Sequence, residues 1–179
     1  MERRFSVLLG DITASQAQAI VNASDEALSG GGGVDAAIHA AAGPELAAAC
    51  RALAPCPTGE VRLTPGFRLA AEHIIHTAGP VWQDGKHGEP ALLAACYRNA
   101  LLLCEERGIE TVDFPSLSTG VFRYPVSLAA AVAEKAILDH LRAHSLPRRV
   151  RMVCRRKETA ALYRQTYNLW YAEEKKDLL

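Results

Sequence analysis

Short apolar segments alternate along the chain with longer segments in which apolar residues recur every three or four positions. The short segments are typical of buried strands, and the longer periodicity is typical of helices that bury one face. The pattern predicts strands at residues 5–9, 19–22, 61–63, 73–78, 111–114 and 150–154. It predicts helices at residues 34–42, 44–53, 89–107, 125–146 and 158–171.

The order of these elements predicts an α/β fold, because helices that connect successive strands cover both faces of a mostly parallel sheet. A single domain over residues 1–172 accounts for the pattern, and a charged C-terminal tail is expected at 173–179. Ligands of such sheets bind beyond the carboxyl ends of the strands. The loops at residues 10–12, 22–34 and 116–124 are therefore the places where a site is expected.

The composition argues against several classes of protein. The chain carries 20 Lys and Arg against 20 Asp and Glu, so its net charge is zero and gives no general attraction to nucleic acid or to an acidic membrane surface. No apolar run approaches the roughly 20 residues of a membrane-spanning helix. Five cysteines without C-x-x-C spacing, mostly in apolar surroundings, favour buried free thiols, a reducing compartment and a cytoplasmic location.

Four successive glycines, Gly30 to Gly33, precede the helix predicted from residue 34. Such a run is unfavourable in backbone entropy and is kept where φ is positive or where a ligand approaches the main chain. A glycine loop at a helix N-terminus directs unpaired N–H groups and the positive end of the helix dipole at one point, which favours a phosphate. Asp35 adds a carboxylate in the first turn. The alternative is a flexible surface loop followed by an ordinary N-terminal aspartate.

The common nucleotide-binding patterns do not fit this loop. The dinucleotide pattern G-x-G-x-x-G needs a glycine where Asp35 stands, and no G-K-[ST] follows. A second loop at residues 116–122 also leaves a predicted strand, carries small residues and leads into a helix. Backbone N–H groups of the two loops could hold a pyrophosphate between them without lysine or arginine. The alternative is a pair of unrelated tight turns.

Taken together, these motifs resemble the macro domain family, and specifically its MacroD-type branch. The resemblance extends from about residue 5 to about residue 170. It implies a three-layer α/β/α sandwich with a mixed, mostly parallel sheet. It also implies binding of ADP-ribose and hydrolysis of ester-linked ADP-ribose, either on Asp or Glu side chains of mono-ADP-ribosylated proteins or in O-acetyl-ADP-ribose, without a cofactor. The matching segments are residues 10–13, 19–23, 30–35, 38–39, 41–44, 58–60, 76–82, 97–99, 118–122, 124–125, 150–154 and 162–163.

The resemblance also implies a role for each residue of the binding site. Asp11 would accept a hydrogen bond from the adenine amino group, Ile12 would offer its backbone N–H to the same ring, and Arg155 would stack on adenine where the family commonly has an aromatic residue. Phe122 would pack against the distal ribose, the one farther from adenine. The expected phosphate donors are the loop residues Gly32, Gly33, Val34, Ser118, Thr119, Gly120 and Val121.

Four residues are implied in catalysis. Asn22 would hold the hydroxyls of the distal ribose, and Asp35 would orient or deprotonate the attacking water, a task that the substrate's phosphate can share. His39 lies one turn after Asp35, on the same helix face. The family usually has asparagine where this chain has Asp25, so a second carboxylate is expected near Asp35, where it would raise the pKa of one of the pair.

Each of these residues also has a purely structural interpretation, as a turn residue, a helix N-terminal charge or an ordinary helical histidine. No metal-ligand motif is present, and no cysteine lies in the matched loops as a candidate nucleophile. Asp25 keeps open an alternative function, an ADP-ribose reader that binds without turnover. A weaker alternative, an RNA- or poly(ADP-ribose)-associated module, rests on the basic residues within 148–157.

Overall fold

One sheet of six strands lies at the centre of the computed structural model, which describes residues 3–176 apart from the side chains of Glu174 and Lys175. The strands are β1 (Phe5–Leu9), β2 (Ala19–Ser24), β3 (Val61–Pro65), β4 (His73–Ala78), β5 (Thr111–Phe114) and β6 (Arg149–Cys154). Their order across the sheet is β1-β6-β5-β2-β4-β3. Neighbouring strands are parallel except β3 and β4, which are antiparallel. The mixed, mostly parallel sheet is as predicted.

Helices cover both faces of this sheet and complete a three-layer α/β/α sandwich. In the described part of the chain they are α1 (Gly33–Ala42), α2 (Glu45–Leu53), α3 (Glu89–Arg107), α4 (Val126–Ala143) and α5 (Lys157–Lys176). Helices α1 and α2 pack with β2 and β3, whereas α3, α4 and α5 pack together. The two faces build two separate cores: Ile20 belongs to the core of α1 and α2, and its neighbour Val21 to the core of the other three helices. This alternation is the period-two pattern of a strand.

Most elements lie where the sequence predicts them, with differences at their ends. Strands β2 and β3 continue to Ser24 and Pro65, and α5 continues to Lys176. Residues 173–176, which were expected in the charged tail, are helical, because glutamate and lysine have good helix propensity. The single domain over residues 1–172 stays a prediction. Residues 177–179 lie outside the described part of the chain. No helix among residues 3–176 is both long and apolar enough to cross a membrane.

Helix α4 buries a wider face than its apolar spacing predicts. The expected stripe consists of Ala130, Ala133, Ile137 and Leu141. The first three are fully buried, but Leu141 is only half-buried. Two polar side chains, Glu134 and His140, are buried instead, because α4 packs against both α3 and α5. The five cysteines are all free and buried, which confirms that they are core thiols.

Strand order decides which loops meet at the carboxyl edge of the sheet. Strands β2 and β5 are neighbours, so the glycine loop after β2 and the loop of residues 115–125 after β5 emerge side by side. Strands β1 and β6 are also neighbours, with Leu9 paired to Cys154. The residues that follow them, Asp11 and Arg155, therefore lie at the same edge, as sheets of this class require of a binding site.

Candidate functional site

Asp35 lies in the first turn of α1 and is almost completely buried, with a residue exposure of 4%. Its Oδ1 accepts a hydrogen bond of 2.7 Å from Asn22 Nδ2, and its Oδ2 accepts one of 3.0 Å from the backbone N–H of Gly31. His39 Nε2 lies 3.4 Å from Oδ1. Burial raises the pKa of Asp35 above the usual value of an aspartate, although the hydrogen bond from Asn22 and the charge of His39 oppose that rise. The sequence analysis assigned Asn22, Asp35 and His39 to catalysis, and the structure brings Asn22 and His39 to the carboxylate of Asp35.

Two of the four glycines of the loop have backbone angles that favour glycine. Gly30 has φ of +74° and Gly33 has φ of +66°, both in the left-handed region. A Cβ at Gly30 would lie only 3.1 Å from atoms of the His39 ring, so glycine there also makes room for that ring. Gly32 is the N-cap of α1, and a Cβ at Gly32 or Gly33 would meet no atom within 4 Å. The open space beside the first N–H groups of α1 is suited to an anion.

Asn22 connects Asp35 to the sheet through a residue that the sequence analysis missed. Its Nδ2 also lies 3.1 Å from Nδ1 of His76, and Nε2 of His76 lies 2.9 Å from Oγ1 of Thr64. Burial lowers the pKa of His76 to about 4, so its ring is neutral and Nδ1 can accept from Asn22 while Nε2–H donates to Thr64. The available signal was strand register, because Asn22 pairs with His76 across β2 and β4.

Asp25 makes its strongest contacts with Ser29 and none with Asp35. Its Oδ1 accepts a hydrogen bond of 2.8 Å from the backbone N–H of Ser29, and its Oδ2 accepts one from the Ser29 hydroxyl. Burial tends to raise the pKa of Asp25, but the bonds from Ser29, together with backbone N–H groups including that of Leu28, lower that pKa below its ordinary value. Its negative charge adds to the rise in the pKa of Asp35. The expected electrostatic coupling is present, and the catalytic role of Asp25 stays a prediction.

The loop after β5 is held by hydrogen bonds within the loop and by one hydrogen bond between the loop and helix α5. Ser118 has φ of +64°, and its carbonyl accepts a bond of 2.9 Å from the N–H of Tyr124. The hydroxyl of Thr119 donates to the carbonyl oxygen of Ser116 at 3.0 Å, and Ser116 Oγ lies 2.8 Å from the hydroxyl of buried Tyr163. These contacts fix the backbone of residues 116–124 before any ligand arrives, which is the preorganisation that a phosphate-binding loop needs.

Three buried polar atoms at the carboxyl edge of the sheet have no hydrogen-bond partner among residues 3–176: Asn22 Oδ1, Ser24 Oγ and Ser118 Oγ. Ser118 lies directly against Gly79, where a Cβ would come within 2.2 Å of Ser118 Oγ, so only glycine allows this approach. Buried polar groups in native proteins are nearly always paired. Their concentration beside Asp35 and between the two loops indicates a site for a polar ligand.

Aromatic residues support the far end of the second loop. The backbone N–H of Trp82 donates to the carbonyl of Phe122 at 2.8 Å, and the Trp82 ring packs on Tyr124 at 4.6 Å between centroids. Phe122 is half-buried, whereas Val121 is 86% exposed at the tip of the loop. Trp82, which follows β4, was identified only as part of a motif; the structure shows that it positions Phe122.

The residues predicted for the adenine lie together at the β1–β6 end of the sheet. Asp11 caps a short 3₁₀ helix, Ile12–Ala14, and its Oδ1 accepts bonds of 3.0 and 2.8 Å from the N–H and hydroxyl of Thr13. These bonds lower the pKa of Asp11, and the nearby charge of Arg155 lowers it further. Both bonds fall on Oδ1, which leaves Oδ2 available to an amino group. Arg155 is exposed and the side chain of Ile12 is buried.

Comparisons with known proteins identify relatives of this chain. Residues 21–133 match the Macro domain family. The chain is 55% identical over 133 residues to a Macro domain-containing protein of Ralstonia nicotianae. This alignment covers 74% of this chain and 78% of that protein. It is 47% identical over 167 residues to the O-acetyl-ADP-ribose deacetylase of Salmonella typhimurium, with 91% of this chain and 93% of that protein covered.

Solved structures give the same result for the fold. The structure resembles the Oceanobacillus iheyensis macrodomain with ADP, with a TM-score of 0.90, 42% identity, and 96% of this chain and 92% of that chain covered. It also resembles the Trypanosoma brucei macrodomain in complex with ADP-ribose, with a TM-score of 0.86, 36% identity, and coverage of 91% and 68%. By sequence and by fold, the chain belongs to the Macro domain family.

Proposed function

We propose that this protein binds ADP-ribose and hydrolyses its esters, either on Asp or Glu side chains of mono-ADP-ribosylated proteins or in O-acetyl-ADP-ribose. The observation that carries the proposal is the setting of Asp35. A buried carboxylate, fixed by Asn22 and Gly31, stands at the start of a helix whose first N–H groups are open. An acid–base group is thereby held next to a phosphate-binding loop.

The geometry supports binding of the whole ligand along the carboxyl edge of the sheet. Asp11 and Arg155 lie at the end where adenine is expected, and the two loops after β2 and β5 offer backbone donors for the pyrophosphate. The unpaired Oδ1 of Asn22 can accept a hydrogen bond from a hydroxyl of the distal ribose. The relatives crystallised with ADP and with ADP-ribose support this assignment.

The chemistry requires a water molecule to attack the ester and lose a proton. A carboxylate within hydrogen-bond reach of that water can orient it and accept the proton, and a pKa raised towards neutrality makes it a stronger base. Asp35 has this raised pKa because it is buried. The products are ADP-ribose and the free carboxylic acid, and the substrate's own phosphate can share the proton with Asp35. The name of the Salmonella relative, O-acetyl-ADP-ribose deacetylase, is consistent with this reaction.

One observation favours a second candidate, a reader that binds ADP-ribose without turnover. Asp25 stands where the resemblance predicts asparagine, and its carboxylate is occupied by Ser29. Without an amide at this position, the side chain cannot donate a hydrogen bond to the distal ribose or to the water. Binding through the loops would persist in that case, whereas hydrolysis would not.

Incubation with O-acetyl-ADP-ribose and with a mono-ADP-ribosylated protein tests the proposal, with release of free ADP-ribose as the measurement. The enzyme is expected to release it from at least one of the two substrates. A matched control is Asp139→Ala, which removes an exposed aspartate on α4 that pairs with Lys135 and Arg142, and it should act at the parent rate. Binding of ADP-ribose with no release from either substrate would contradict the hydrolase and establish the reader.

A further inference from the structure

A cluster of potential metal ligands lies at the end of the molecule opposite the two loops. Helices α3 and α4 follow the parallel strands β4 and β5 and return across the sheet, so their C-terminal ends meet at its amino edge. There Glu105 of α3 stands beside His140 of α4 and His144, the C-cap of that helix. Each offers one ligand atom, and the three atoms lie within 4.8 Å of one another.

His140 has the second hydrogen bond that is typical of a metal-bound histidine. Nε2 of His140 lies 2.9 Å from the carbonyl oxygen of Leu146 and donates its proton there, which leaves Nδ1 with a free lone pair. Metal-ligating histidines usually donate their second ring N–H to such a backbone oxygen. The His140 and His144 rings are stacked, with centroids 4.2 Å apart and planes 10° apart. The His144 ring therefore has to turn out of the stack before its lone pair can point at the same ion as that of His140.

Charge at this end of the fold favours a cation. The C-terminal ends of α3 and α4 carry the negative ends of their helix dipoles. Glu105 adds a carboxylate that lies against Nδ1 of His144. Arg4 brings an opposing positive charge, and its guanidinium donates to the carbonyls of Leu141 and His144 at 2.6 and 2.9 Å.

A second cluster among the described residues, Asp84, His87 and Glu89, has a different explanation. Oε1 of Glu89 accepts bonds from the backbone N–H groups of Gln83, Asp84 and Gly85, and its Oε2 accepts one of 2.7 Å from the N–H of His87. Its carboxylate is used to close the loop before α3. Within residues 3–176 no backbone N–H donates to the carboxylate of Glu105, which makes the α3–α4 cluster the stronger candidate.

We propose that Glu105, His140 and His144 bind a divalent transition-metal ion, with Zn²⁺ the best match to two imidazoles and a carboxylate. Zinc takes such ligands at about 2.0–2.2 Å in tetrahedral geometry, and the half-exposed Glu105 and His144 side chains would rotate to reach it. Water completes the coordination from the groove between α3 and α4, a cavity of about 510 Å³ that His140 and His144 line. The ion would fasten the ends of α3 and α4 together, far from the ADP-ribose loops.

Calorimetric titration of the tag-free, metal-stripped protein with Zn²⁺ tests this site, with the visible absorption of added Co²⁺ as a second readout. One equivalent is expected to bind and to raise the melting temperature. His144→Ala and Glu105→Gln should each weaken binding at least tenfold, and His140→Ala should do the same. The matched control, His87→Ala, removes an exposed histidine from the other cluster and should bind as the parent does.

Circular dichroism of the metal-free variants establishes that they fold, and the surface position of Glu105 makes Glu105→Gln the safest of them. Failure of the folded parent protein to bind Zn²⁺ would overturn the proposal. The cluster would then be a structural contact between Glu105 and the stacked rings of His140 and His144. Binding that survives His144→Ala and Glu105→Gln but is lost in His87→Ala would also overturn it, because the ion would then occupy the loop cluster.

Discussion

The side-chain amide of Asn22 donates to Oδ1 of Asp35 at 2.7 Å while its second hydrogen points at Nδ1 of His76, 3.1 Å away. Both hydrogens of the amide are therefore used, and its oxygen is left without a partner among the described residues. This orientation fixes the carboxylate on one side and offers an acceptor to the ligand on the other. The neutral ring of His76 determines the orientation of the Asn22 amide. A protonated ring would donate from Nδ1, so the amide would have to rotate and present its oxygen to His76.

The first prediction follows from that acceptor. ADP-ribose should stabilise the protein more than ADP does, because only ADP-ribose carries the distal ribose that Asn22 and Phe122 would contact. At a ligand concentration of 100 times Kd the gain is about 2.7 kcal/mol. The measurement is the shift in melting temperature with each ligand. Phe122→Ala should reduce the effect of ADP-ribose and leave that of ADP unchanged; equal shifts from both ligands in the parent protein would rule out a distal-ribose site.

The second prediction concerns acid stability. Burial lowers the pKa of His76 from 6.5 to about 4, so the unfolded chain takes up a proton first as the pH falls. The contribution of His76 to stability is complete above 6.5 and is lost as the pH falls towards about 4. Over that range the free energy of unfolding of His76→Gln, measured in urea, should fall by about 3 kcal/mol less than that of the parent. The exposed control His87→Gln should follow the parent. An equal loss of unfolding free energy in His76→Gln and the parent would mean that His76 takes up its proton as readily in the folded protein as in the unfolded chain.

The third prediction separates Asp25 from Asp35. Asp25→Asn removes a negative charge that helps to raise the pKa of Asp35, so the pKa of Asp35 should fall and more of the base should be ionised at mildly acidic pH. The amide oxygen can still accept the backbone bond from Ser29, so the turn should survive. The expected result is a kcat/KM profile on one ester substrate with its acidic limb shifted to lower pH and no loss at neutral pH. A large loss of kcat/KM at every pH would mean that Asp25, and not Asp35, carries the catalytic negative charge.

The fourth prediction concerns Glu134, which is fully buried in α4 and has no partner for either carboxylate oxygen among residues 3–176. Burial raises its pKa from 4.5 to about 8, so the unfolded chain loses its proton first as the pH rises. The stability associated with the neutral carboxyl group is present below 4.5 and is lost as the pH rises through 8. From pH 4.5 to pH 8 the free energy of unfolding of Glu134→Gln should fall by about 4 kcal/mol less than that of the parent. The exposed control Glu106→Gln should match the parent. Identical pH profiles for the parent and Glu134→Gln would show that Glu134 is ionised or solvated in the folded protein.

The sequence predicts the positions of the strands and helices well because each carries its own periodicity. It also predicts the pairing of Asp35 with His39, since four residues make one helical turn. It does not predict that His76 and Thr64 support Asn22, because that contact depends on strand register between distant segments. Nor does it predict the bond between Asp25 and Ser29, because a carboxylate after a strand fits a ligand site and a local turn equally well.

The central claim, that Asp35 acts on the water rather than on the ligand's phosphates, is tested most directly by Asp35→Ala. The measurement is kcat for ADP-ribose release at saturating ester substrate, beside the Kd for ADP-ribose from calorimetry. We expect kcat to fall by about two orders of magnitude or more, as removal of a general base does, while Kd changes by less than tenfold, about 1.4 kcal/mol. A collapse of affinity with kcat unchanged at saturation would contradict the account and make Asp35 a binding residue.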